Sequence, residues 1–467
     1  MVQMILSPAQ MDAVNARGEH ILIKGIPGSG KTTVLLSKLE IVLETEPDAK
    51  ILFITYNNTL QKYINESLLV MLDVGVANVD VLTYHKWSKK MLQNVHEYQD
   101  PEKYNSFDTF YEQLKLVEHE HRFYQNQQYK YFLLDELKWL KNKSVSSYEE
   151  YKNIRRTGRG VALQIADRKV VYEIIEKYNA YLKINHRIMW EDYSNIVIKH
   201  IADINKKKSY DYVFIDEAQD LSQSQLISLR MTARKALIIA ADLGQKIYKT
   251  DFTWKSTGIN VQGGRTKSLM GAFRSKKEVM DLANSLLKHD TTLSEEDIEQ
   301  PYEAKSSGVM PAILVAKEMT EYDMIAQLVK EILEDYKQDG YTGTIGILSF
   351  SKKTRDTIQY VLKVKGIPAE IIKEQEGSAL SSGVKVLTMH GAKGLEFDTV
   401  IITGMNSYFP NIWNVLEDDK ENEINTARRL LYVSMTRAKD NIYLTYKGKP
   451  SLYIGELEAS LYEEETY

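Results

Sequence analysis

The sequence predicts an α/β protein built from parallel sheets and helices. Short runs rich in Val and Ile alternate with amphipathic stretches, which is typical of buried parallel strands joined by helices. A glycine-rich loop lies between the first such run and a helix-forming stretch. With 467 residues, 43% of them hydrophobic, the chain is long enough for several domains with separate cores. The predicted strands include Ile21–Lys24, Ile51–Thr55, Tyr212–Asp216, Ala236–Ala241, Ala312–Ala316, Ile345–Ser349, Val384–Thr388 and Val400–Thr403.

Composition excludes several classes of protein. The net charge of −4 argues against a polybasic binder held by bulk charge, although a locally basic groove remains compatible with it. The chain has no cysteine, which excludes disulfides, thiolate zinc sites and cysteine nucleophiles. Its first residues lack the basic and apolar regions of a signal peptide, and no apolar run approaches the roughly 18 residues of a membrane span. We therefore expect a cytoplasmic protein with no membrane partner.

The glycine-rich loop matches the pattern G-x-x-x-x-G-K-[ST] of phosphate-binding loops. It follows a predicted strand and opens a predicted helix over about residues 31–43, the context that the motif requires. Main-chain N–H groups at such a helix start favour negative charge. Lys31 is expected at the β- and γ-phosphates and Thr32 at Mg²⁺. The loop comprises Gly25, Ile26, Pro27, Gly28, Ser29, Gly30, Lys31 and Thr32.

A second motif, which is acidic, begins at Asp216 directly after a predicted strand. A carboxylate at the end of a buried parallel strand, beside a phosphate loop, is placed to hold Mg²⁺. We therefore predict Thr32 and Asp216 as the Mg²⁺ site, with the neighbouring Glu217 polarising the attacking water. ATP and Mg²⁺ are the expected cofactors.

The stretch Asp216-Glu217-Ala-Gln-Asp220 resembles motif II of superfamily 1 helicases. The residue patterns of motifs V and VI are those of the UvrD/Rep/PcrA branch. The chain therefore resembles superfamily 1A DNA helicases from Gln10 to Lys439. The other resembling stretches occur in the family's order: Ser7–Gln10 (Q-motif), Ile54–Asn58 (motif Ia), Thr83–His85 (a Thr-Phe-His element), Ala241–Tyr248 (motif III), Ala272–Ser275 (motif IV), Thr388–Phe397 (motif V) and Leu431–Ala438 (motif VI).

The resemblance implies a role for each matching position. Gln245 would sense the γ-phosphate, and Arg274 and Arg437 would reach it from the second half of the chain as charge-stabilising fingers. Phe273 would stack on adenine, and Glu396 would take the ribose hydroxyl. The implied ATP contacts are Gln10, Gly25, Pro27, Gly28, Ser29, Gly30, Lys31, Thr32, Thr33, Phe273, Gly394 and Glu396. The implied DNA contacts are Tyr56, Asn58, Thr83, Tyr84, His85, Tyr248, Trp254, Thr388 and His390.

Three positions depart from the family's usual pattern. Thr33 stands where an Arg often sandwiches the adenine, and Ala427 stands where a Glu is common. The tryptophan that follows motif III is not in register, because Lys249 and Thr250 occupy its place. Trp254 comes a little later and is the candidate for the same stacking role.

The resemblance also implies two RecA-like P-loop NTPase domains with a helical insertion, called 1B, in the first. The expected divisions are 1–95 with 195–264 (domain 1A), 96–194 (domain 1B), 265–454 (domain 2A) and 455–467 (an acidic, solvated tail). Predicted strands and helices of the second RecA-like domain occupy most of the interval between Arg274 and Val384. This leaves no room for the large 2B insertion of the longer relatives.

A group of basic residues in the insertion admits two interpretations. It could touch duplex DNA or its backbone, or it could be a solvated helix face. The residues are Lys138, Lys141, Lys143, Arg155, Arg156 and Arg159.

Together these features predict a compact ATP-dependent DNA helicase or translocase that moves 3′→5′ on single-stranded DNA. The expected partners are single-stranded DNA, junctions of single- and double-stranded DNA, and a protein that stimulates unwinding; the chain itself is expected to be a monomer. One alternative is a translocase without strand separation. Another is a DNA-stimulated ATPase switch or motor subunit of a larger nuclease or repair complex.

Overall fold

The computed structural model describes residues 6–26, 28–55, 61, 64–65, 78–93, 95, 100–101, 106–118, 120–156, 158–242, 252–269, 271–272, 275–293, 303–304, 308–372 and 381–467. Across these ranges, no helix is both long enough and apolar enough to cross a membrane.

All eight predicted strands are present, with bounds that differ from the expected ones by at most three residues. The strands are β1 (His20–Gly25), β2 (Ile51–Thr55), β3 (Val79–Thr83), β4 (Asp100–Pro101), β5 (Arg187–Ile188), β6 (Tyr210–Ile215), β7 (Ala233–Ala241), β8 (Thr266–Leu269), β9 (Gly271–Ala272), β10 (Glu303–Ala304), β11 (Ala312–Ala316), β12 (Thr344–Ser349), β13 (Ala369–Ile371), β14 (Gly383–Thr388), β15 (Phe397–Thr403), β16 (Ala438–Lys447) and β17 (Glu463–Thr466).

Helices separate many of these strands. They are α1 (Pro8–Asn15), α2 (Lys31–Thr45), α3 (Tyr84–Leu92), α4 (Ser106–Val117), α5 (Gln127–Asn142), α6 (Tyr148–Asn153), α7 (Ile165–Ile184), α8 (Asp192–Lys207), α9 (Gln223–Thr232), α10 (Lys277–Leu287), α11 (Glu321–Gln338), α12 (Lys352–Val364), α13 (Glu417–Met435) and α14 (Leu452–Glu456).

The first lobe is a six-stranded sheet in the order β3-β2-β6-β7-β1-β8. All its strands are parallel. Both faces are covered, because side chains along a strand point alternately to opposite sides. In β1, Ile21 and Ile23 join one apolar cluster whereas Leu22 joins the other. This parallel sheet brings the ends of β1 and β6, where the two predicted phosphate-site motifs begin, to the same edge.

The second lobe is a seven-stranded parallel sheet in the order β13-β14-β12-β15-β16-β11-β17. Apolar clusters again cover both of its faces. The two sheets confirm the predicted fold class of two RecA-like α/β lobes.

Two expected divisions of the chain need correction. The predicted second lobe starts at residue 265, but β8 pairs with β1 and belongs to the first sheet. We also expected residues 455–467 to be a solvated tail. The side chains of β17 are exposed, yet its main chain pairs with β11 along Ala312–Val315. Acidic composition predicted the exposure of these side chains but not the pairing, because an edge strand needs only main-chain partners.

The insertion, α4–α7, is helical as predicted and has an apolar cluster of its own, which includes Phe107, Phe132 and Tyr178. The basic group in it is not one continuous solvated face, because Arg155 is exposed but the side chains of Arg156 and Arg159 are enclosed. Arg156 and Arg159 are buried against the fully buried carboxylate of Glu136. These guanidinium groups are enclosed because the insertion's interior contains a carboxylate that must be paired.

Lys141, another member of the basic group, forms an ion pair with Asp192 at the start of α8. This contact ties the insertion to the first lobe. The described residues between Ser275 and Val384 form β11–β13 with α10–α12, and β10 pairs with β9. No 2B-like domain is found among the described residues of this interval.

Candidate functional site

The predicted phosphate loop joins β1 to α2 at the carboxyl edge of the first sheet. Gly28 and Gly30 have φ angles of 73° and 82°, a left-handed region that other residues seldom adopt. A Cβ on Gly25 would overlap the hydroxyl of Ser29. The loop therefore closes tightly around the start of α2, whose first N–H groups favour an anion.

Lys31 is the buried cation of this loop. Its Nζ donates hydrogen bonds to the carbonyl oxygens of Gly25 (2.8 Å) and Ile26 (2.9 Å) and lies 3.4 Å from Asp242 Oδ2. Within the described structure, the buried hydroxyl of Ser29 has no hydrogen-bond partner. A cation and an orphaned hydroxyl in one glycine-rich loop fit the phosphates of a nucleotide.

Thr32 and Asp216, the two predicted Mg²⁺ ligands, are in direct contact. The Thr32 hydroxyl donates a 2.7 Å hydrogen bond to Asp216 Oδ2, which joins the start of α2 to the end of β6. Burial, reinforced by the charge of Glu217, raises the pKa of the Asp216 carboxyl. In the described parts of the chain no three His, Cys, Asp or Glu side chains cluster as a metal cage. This donor set suits Mg²⁺, which is often held by one or two protein groups together with phosphate and water.

Glu217 is held in a strained position beside this pair. Its φ angle is 54°, and its carboxylate accepts a hydrogen bond from Gln219. Burial works against ionisation of this carboxyl. The charges of Lys393, Lys31 and Arg437 outweigh burial and lower the pKa of the side chain below its usual value. An ionised, oriented carboxylate can polarise a water molecule.

Two of those cations come from the second lobe. Arg437 is buried, and its Nε donates to the carbonyl oxygen of Val433 at 2.9 Å. Lys393 forms an ion pair with Asp220, the last residue of the acidic motif. The lobes therefore meet at the carboxylates, where the charge of Arg437 acts on Glu217.

Sequence reasoning missed the roles of Lys393, Asp220 and Asp242. Each lies inside a motif that the sequence had marked, but only the fold shows which residues face each other. Asp242 faces Lys31, and its N–H donates to the side-chain oxygen of Gln219 at 3.0 Å.

Some of the remaining predicted ATP contacts lie among the described residues and others do not. Gln10 accepts a hydrogen bond from the N–H of Ser7 (2.8 Å) and donates to the carbonyl oxygen of Ser29 (3.0 Å), so it supports the phosphate loop. Gly394 has a φ angle of 79° and lies two residues before the half-buried Glu396. Thr33 lies in the first turn of α2. Pro27, Gln245, Phe273 and Arg274 lie outside the described residues.

One predicted DNA contact is wrong. Tyr84 is 3% exposed, packs against Trp87 and shares a 2.8 Å hydrogen bond with the hydroxyl of Ser228. Because Tyr84 begins the amphipathic helix α3, its ring faces the core of the first lobe. His85 beside it is exposed and meets the ring of Trp190, which is 46% exposed. Trp190, which sequence reasoning did not consider, is thus an exposed ring beside His85.

The other predicted DNA contacts are spread over both lobes. Thr83 caps the start of α3, and Trp254 is half-buried with its ring against Phe252. In the second lobe, the Thr388 hydroxyl accepts from the N–H of Gly391, and the His390 ring lies 6.4 Å from that of Phe350. Tyr56, Asn58 and Tyr248 lie outside the described residues.

Residues 6–254, more than half of the chain, match the family described as UvrD/REP helicase N-terminal domain. Residues 372–449 match the family described as UvrD-like helicase C-terminal domain. The two matches contain the acidic motif and Arg437 respectively, so each half of the site falls inside one of them.

Curated relatives are similar over part of the chain. The probable DNA helicase II homolog of Mycoplasma capricolum is 32% identical over 195 residues, which cover 38% of this chain and 24% of that protein. The ATP-dependent DNA helicase Rep of Buchnera aphidicola is 30% identical over 165 residues, covering 35% and 22%. The ATP-dependent DNA helicase PcrA of Staphylococcus aureus is 34% identical over 105 residues, covering 20% and 14%.

The matches to these curated relatives therefore span about a quarter of their length or less. Among solved structures, the C-terminal domain of a possible DNA helicase from Lactobacillus plantarum is 22% identical with a TM-score of 0.30; the match covers 41% of this chain and 98% of that one.

Proposed function

The chain belongs to the UvrD/REP helicase family, and on that premise we propose that it is an ATP-dependent DNA helicase or translocase that moves 3′→5′ along single-stranded DNA in the cytoplasm. One observation carries the proposal. In the first lobe, the Thr32 hydroxyl contacts Asp216 beside the buried amine of Lys31, while the charges of Arg437 and Lys393 act on the neighbouring carboxylates from the second lobe.

The chemistry follows from these positions. Lys31 and the N–H groups at the start of α2 bind the phosphates of ATP, and Glu217 orients the attacking water. Mg²⁺, held by Thr32 and Asp216, would neutralise charge that develops on the phosphates. Arg437 stabilises the transferring phosphoryl group from the opposite lobe. Hydrolysis therefore depends on closure of the lobes.

Closure is also the source of movement. When the arginine and lysine of one lobe must reach carboxylates of the other, binding and release of nucleotide shift the lobes relative to each other. Aromatic side chains on both lobes would hold the strand by stacking, which tolerates any base sequence. His85, Trp190 and Trp254 supply rings on the first-lobe side, and Phe350 and His390 supply them on the second.

The proposed divisions of the chain are a first RecA-like domain through β8, a helical 1B domain within it, and a second RecA-like domain that includes β17. We expect a monomer that binds single strands and junctions of single- and double-stranded DNA, and a partner protein that improves unwinding. Tyr56, Asn58, Thr83 and Tyr248 belong to the proposed DNA contacts, as do Thr388 and His390; Gln245, Phe273 and Arg274 belong to the proposed ATP site.

The decisive experiment is steady-state ATPase activity titrated in parallel with single-stranded DNA, duplex DNA and RNA. We expect strong stimulation by single-stranded DNA. Lys31→Ala is the control: it should abolish turnover but leave DNA binding in the absence of ATP intact. Turnover that is unaffected by nucleic acid would contradict the proposal and favour an ATPase switch subunit.

Polarity is tested with DNA labelled at either end. Displacement of streptavidin from a 5′-biotin, but not from a 3′-biotin, is the result expected for 3′→5′ movement. Displacement from the 3′ end instead would contradict the assigned direction. ATP-driven displacement without separation of a duplex would identify a translocase.

A further inference from the structure

The insertion contacts the second lobe directly at the segment that leads into α13. The N–H of Gly160 donates a 2.7 Å hydrogen bond to Asp419 Oδ1. Asp419 is only 7% exposed although it lies in the first turn of its helix. A carboxylate that is buried and bonded in this way holds two parts of the chain in a fixed relation.

Glycine is the one residue type that this contact permits at position 160. A Cβ at position 160 would overlap the main-chain carbonyl of Asp418, and a main-chain atom cannot rotate aside. The approach of the two main chains therefore depends on the absence of a side chain.

Two further contacts extend the same interface. Gln128 of α5 donates from Nε2 to the carbonyl oxygens of Val415 (3.3 Å) and Trp413 (3.5 Å). Leu416 packs against the apolar cluster of the insertion. We call the contacts of Gly160 and Gln128 with residues 413–419 the brace.

The brace lies at the opposite end of α13 from the ATP site. This helix begins at Glu417 and ends at Met435, two residues before Arg437. At about 1.5 Å per residue, 19 residues span roughly 28 Å. A continuous helix of this length is stiff, so the position of its first turn influences the position of the residue that follows its last turn.

We propose that the brace is a positioning contact for ATP hydrolysis: by fixing the start of α13 against the insertion, it sets Arg437 for the closed site. This inference rests on the proposed ATPase function and adds to it a link between the insertion and the chemistry. The link runs through one helix and one pair of main chains. A force on the insertion, such as a duplex pressing on it, would change the rate of hydrolysis without touching the nucleotide.

The test compares Gly160→Ala with Gly455→Ala. A Cβ added to the control glycine would have nothing within 4 Å, and the residue has no positive φ, so an added methyl group meets open space there. We expect Gly160→Ala to lower kcat by about tenfold with little change in the KM for ATP, because small displacements of catalytic groups are costly. Asp419→Ala should do the same, and Asp419→Asn, which keeps an acceptor oxygen, should retain activity.

A double-mutant cycle separates positioning from general damage. If the brace acts through Arg437, Gly160→Ala should cost little more in an Arg437→Ala background. Full additivity of the two losses, or unchanged kcat in Gly160→Ala, would overturn the inference. Thermal unfolding of each variant shows whether its fold is damaged. If Gly160→Ala is destabilised, the milder Gln128→Ala replaces it in the comparison with Gly455→Ala.

Fluorescence energy transfer gives a readout that does not require hydrolysis. Because the chain has no cysteine, dyes can be placed on introduced cysteines at the exposed positions Glu149 and Lys353. With a non-hydrolysable ATP analogue, Gly160→Ala should change the transfer efficiency and Gly455→Ala should not. Absence of ATPase activity in the unaltered chain would refute the proposed function, whereas equal transfer in both variants would refute the brace.

Discussion

Lys393 and Asp220 form a buried ion pair that joins the two lobes, with side chains 0% and 1% exposed. Removing two charges from water is costly, and their attraction compensates for the cost only while both are present. Burial raises the pKa of Asp220 to about 7, although the charge of Lys393 opposes this shift. The pair is therefore a sensitive point in the closed arrangement of the lobes.

We predict that Lys393→Met will impair ATP hydrolysis. Loss of one partner leaves a buried carboxylate alone, which typically costs about 3–5 kcal/mol, and this cost falls on the closed state. The matched control is Lys385→Met. Lys385 is another buried lysine of the second lobe, but it pairs with Glu370 within that lobe. Steady-state ATPase measurements with single-stranded DNA should show a large loss for Lys393→Met and a small one for the control.

The double variant Lys393→Met with Asp220→Leu sharpens this test. Replacement of a buried ion pair by apolar side chains is often neutral, so the double variant should be more active than Lys393→Met alone. In the single variant, Asp220 loses the charge that opposes the effect of burial, so its pKa rises further and lowering the pH should relieve the defect by protonating the carboxylate. A double variant no better than the single one, with no gain at lower pH, would show that Lys393 acts in another way.

The sequence predicted the strands and the phosphate loop well because their signals are local. Apolar runs fix strands such as β2, and the spacing of Gly25, Lys31 and Thr32 fixes the loop. The Lys393–Asp220 pair and the edge pairing of β17 depend on residues far apart in the chain, which no local pattern records. Tyr84 shows the same limit, because the motif match placed its ring at DNA whereas helix packing turns it into the core.

Glu217→Gln should separate binding of ATP from its hydrolysis. The amide keeps the size of the side chain but cannot polarise water as a carboxylate does. We expect ATP and Mg²⁺ to bind with near-normal affinity while turnover stops and the closed state accumulates. Fluorescent-nucleotide binding and single-turnover hydrolysis are the measurements, and loss of nucleotide binding would instead assign Glu217 a structural role.

Arg437→Ala should reduce turnover by at least about a hundredfold, a cautious fraction of the effect of arginine fingers in phosphoryl transfer. Arg355 of α12, which pairs with its exposed neighbour Asp356, offers a control in the same lobe. Arg355→Ala should leave kcat within about twofold, because ion pairs at the surface contribute little. Steady-state kinetics with saturating single-stranded DNA will distinguish the two. A loss below about threefold for Arg437→Ala would place this arginine outside the transition state.

Glu136 should matter for stability of the insertion rather than for chemistry. Glu136→Ala removes the buried carboxylate that Arg156 and Arg159 share, although Arg159 keeps its ion pair with Asp135, and breaking such a buried pair costs about 3–5 kcal/mol. Burial opposes ionisation of Glu136, but Arg156, Arg159 and Tyr151 prevail and lower its pKa. Its contribution is thus present above the unfolded-state pKa and is lost as pH falls below it. Urea unfolding across that range should show a weaker acid dependence in Glu136→Gln; an unchanged dependence would contradict the assignment.

The final prediction concerns movement on DNA and follows from what lies between Ser275 and Val384. Every described helix in this interval packs with the second lobe, and β11, β12 and β13 lie in its sheet. The resemblance to longer members of the family implies that a 2B domain inserted here would restrain the monomer. The described residues of this chain supply no such domain, and the insertion contacts the second lobe through the brace instead.

We therefore expect a monomer that translocates well on single strands but unwinds long duplexes weakly. Translocation needs only two lobes and stacking side chains, whereas unwinding also needs a surface that grips or wedges the duplex. Only the insertion offers such a surface among the described residues, and its buried arginines are already engaged with Glu136.

The measurement is single-turnover unwinding of short and long duplexes with limiting enzyme and a trap for released protein, alongside translocation on single strands of matched length. Short duplexes should open and long ones should mostly reanneal, with improvement when a partner protein is added. Processive unwinding of the long duplex by isolated monomers would show that the insertion and the two lobes suffice as a wedge.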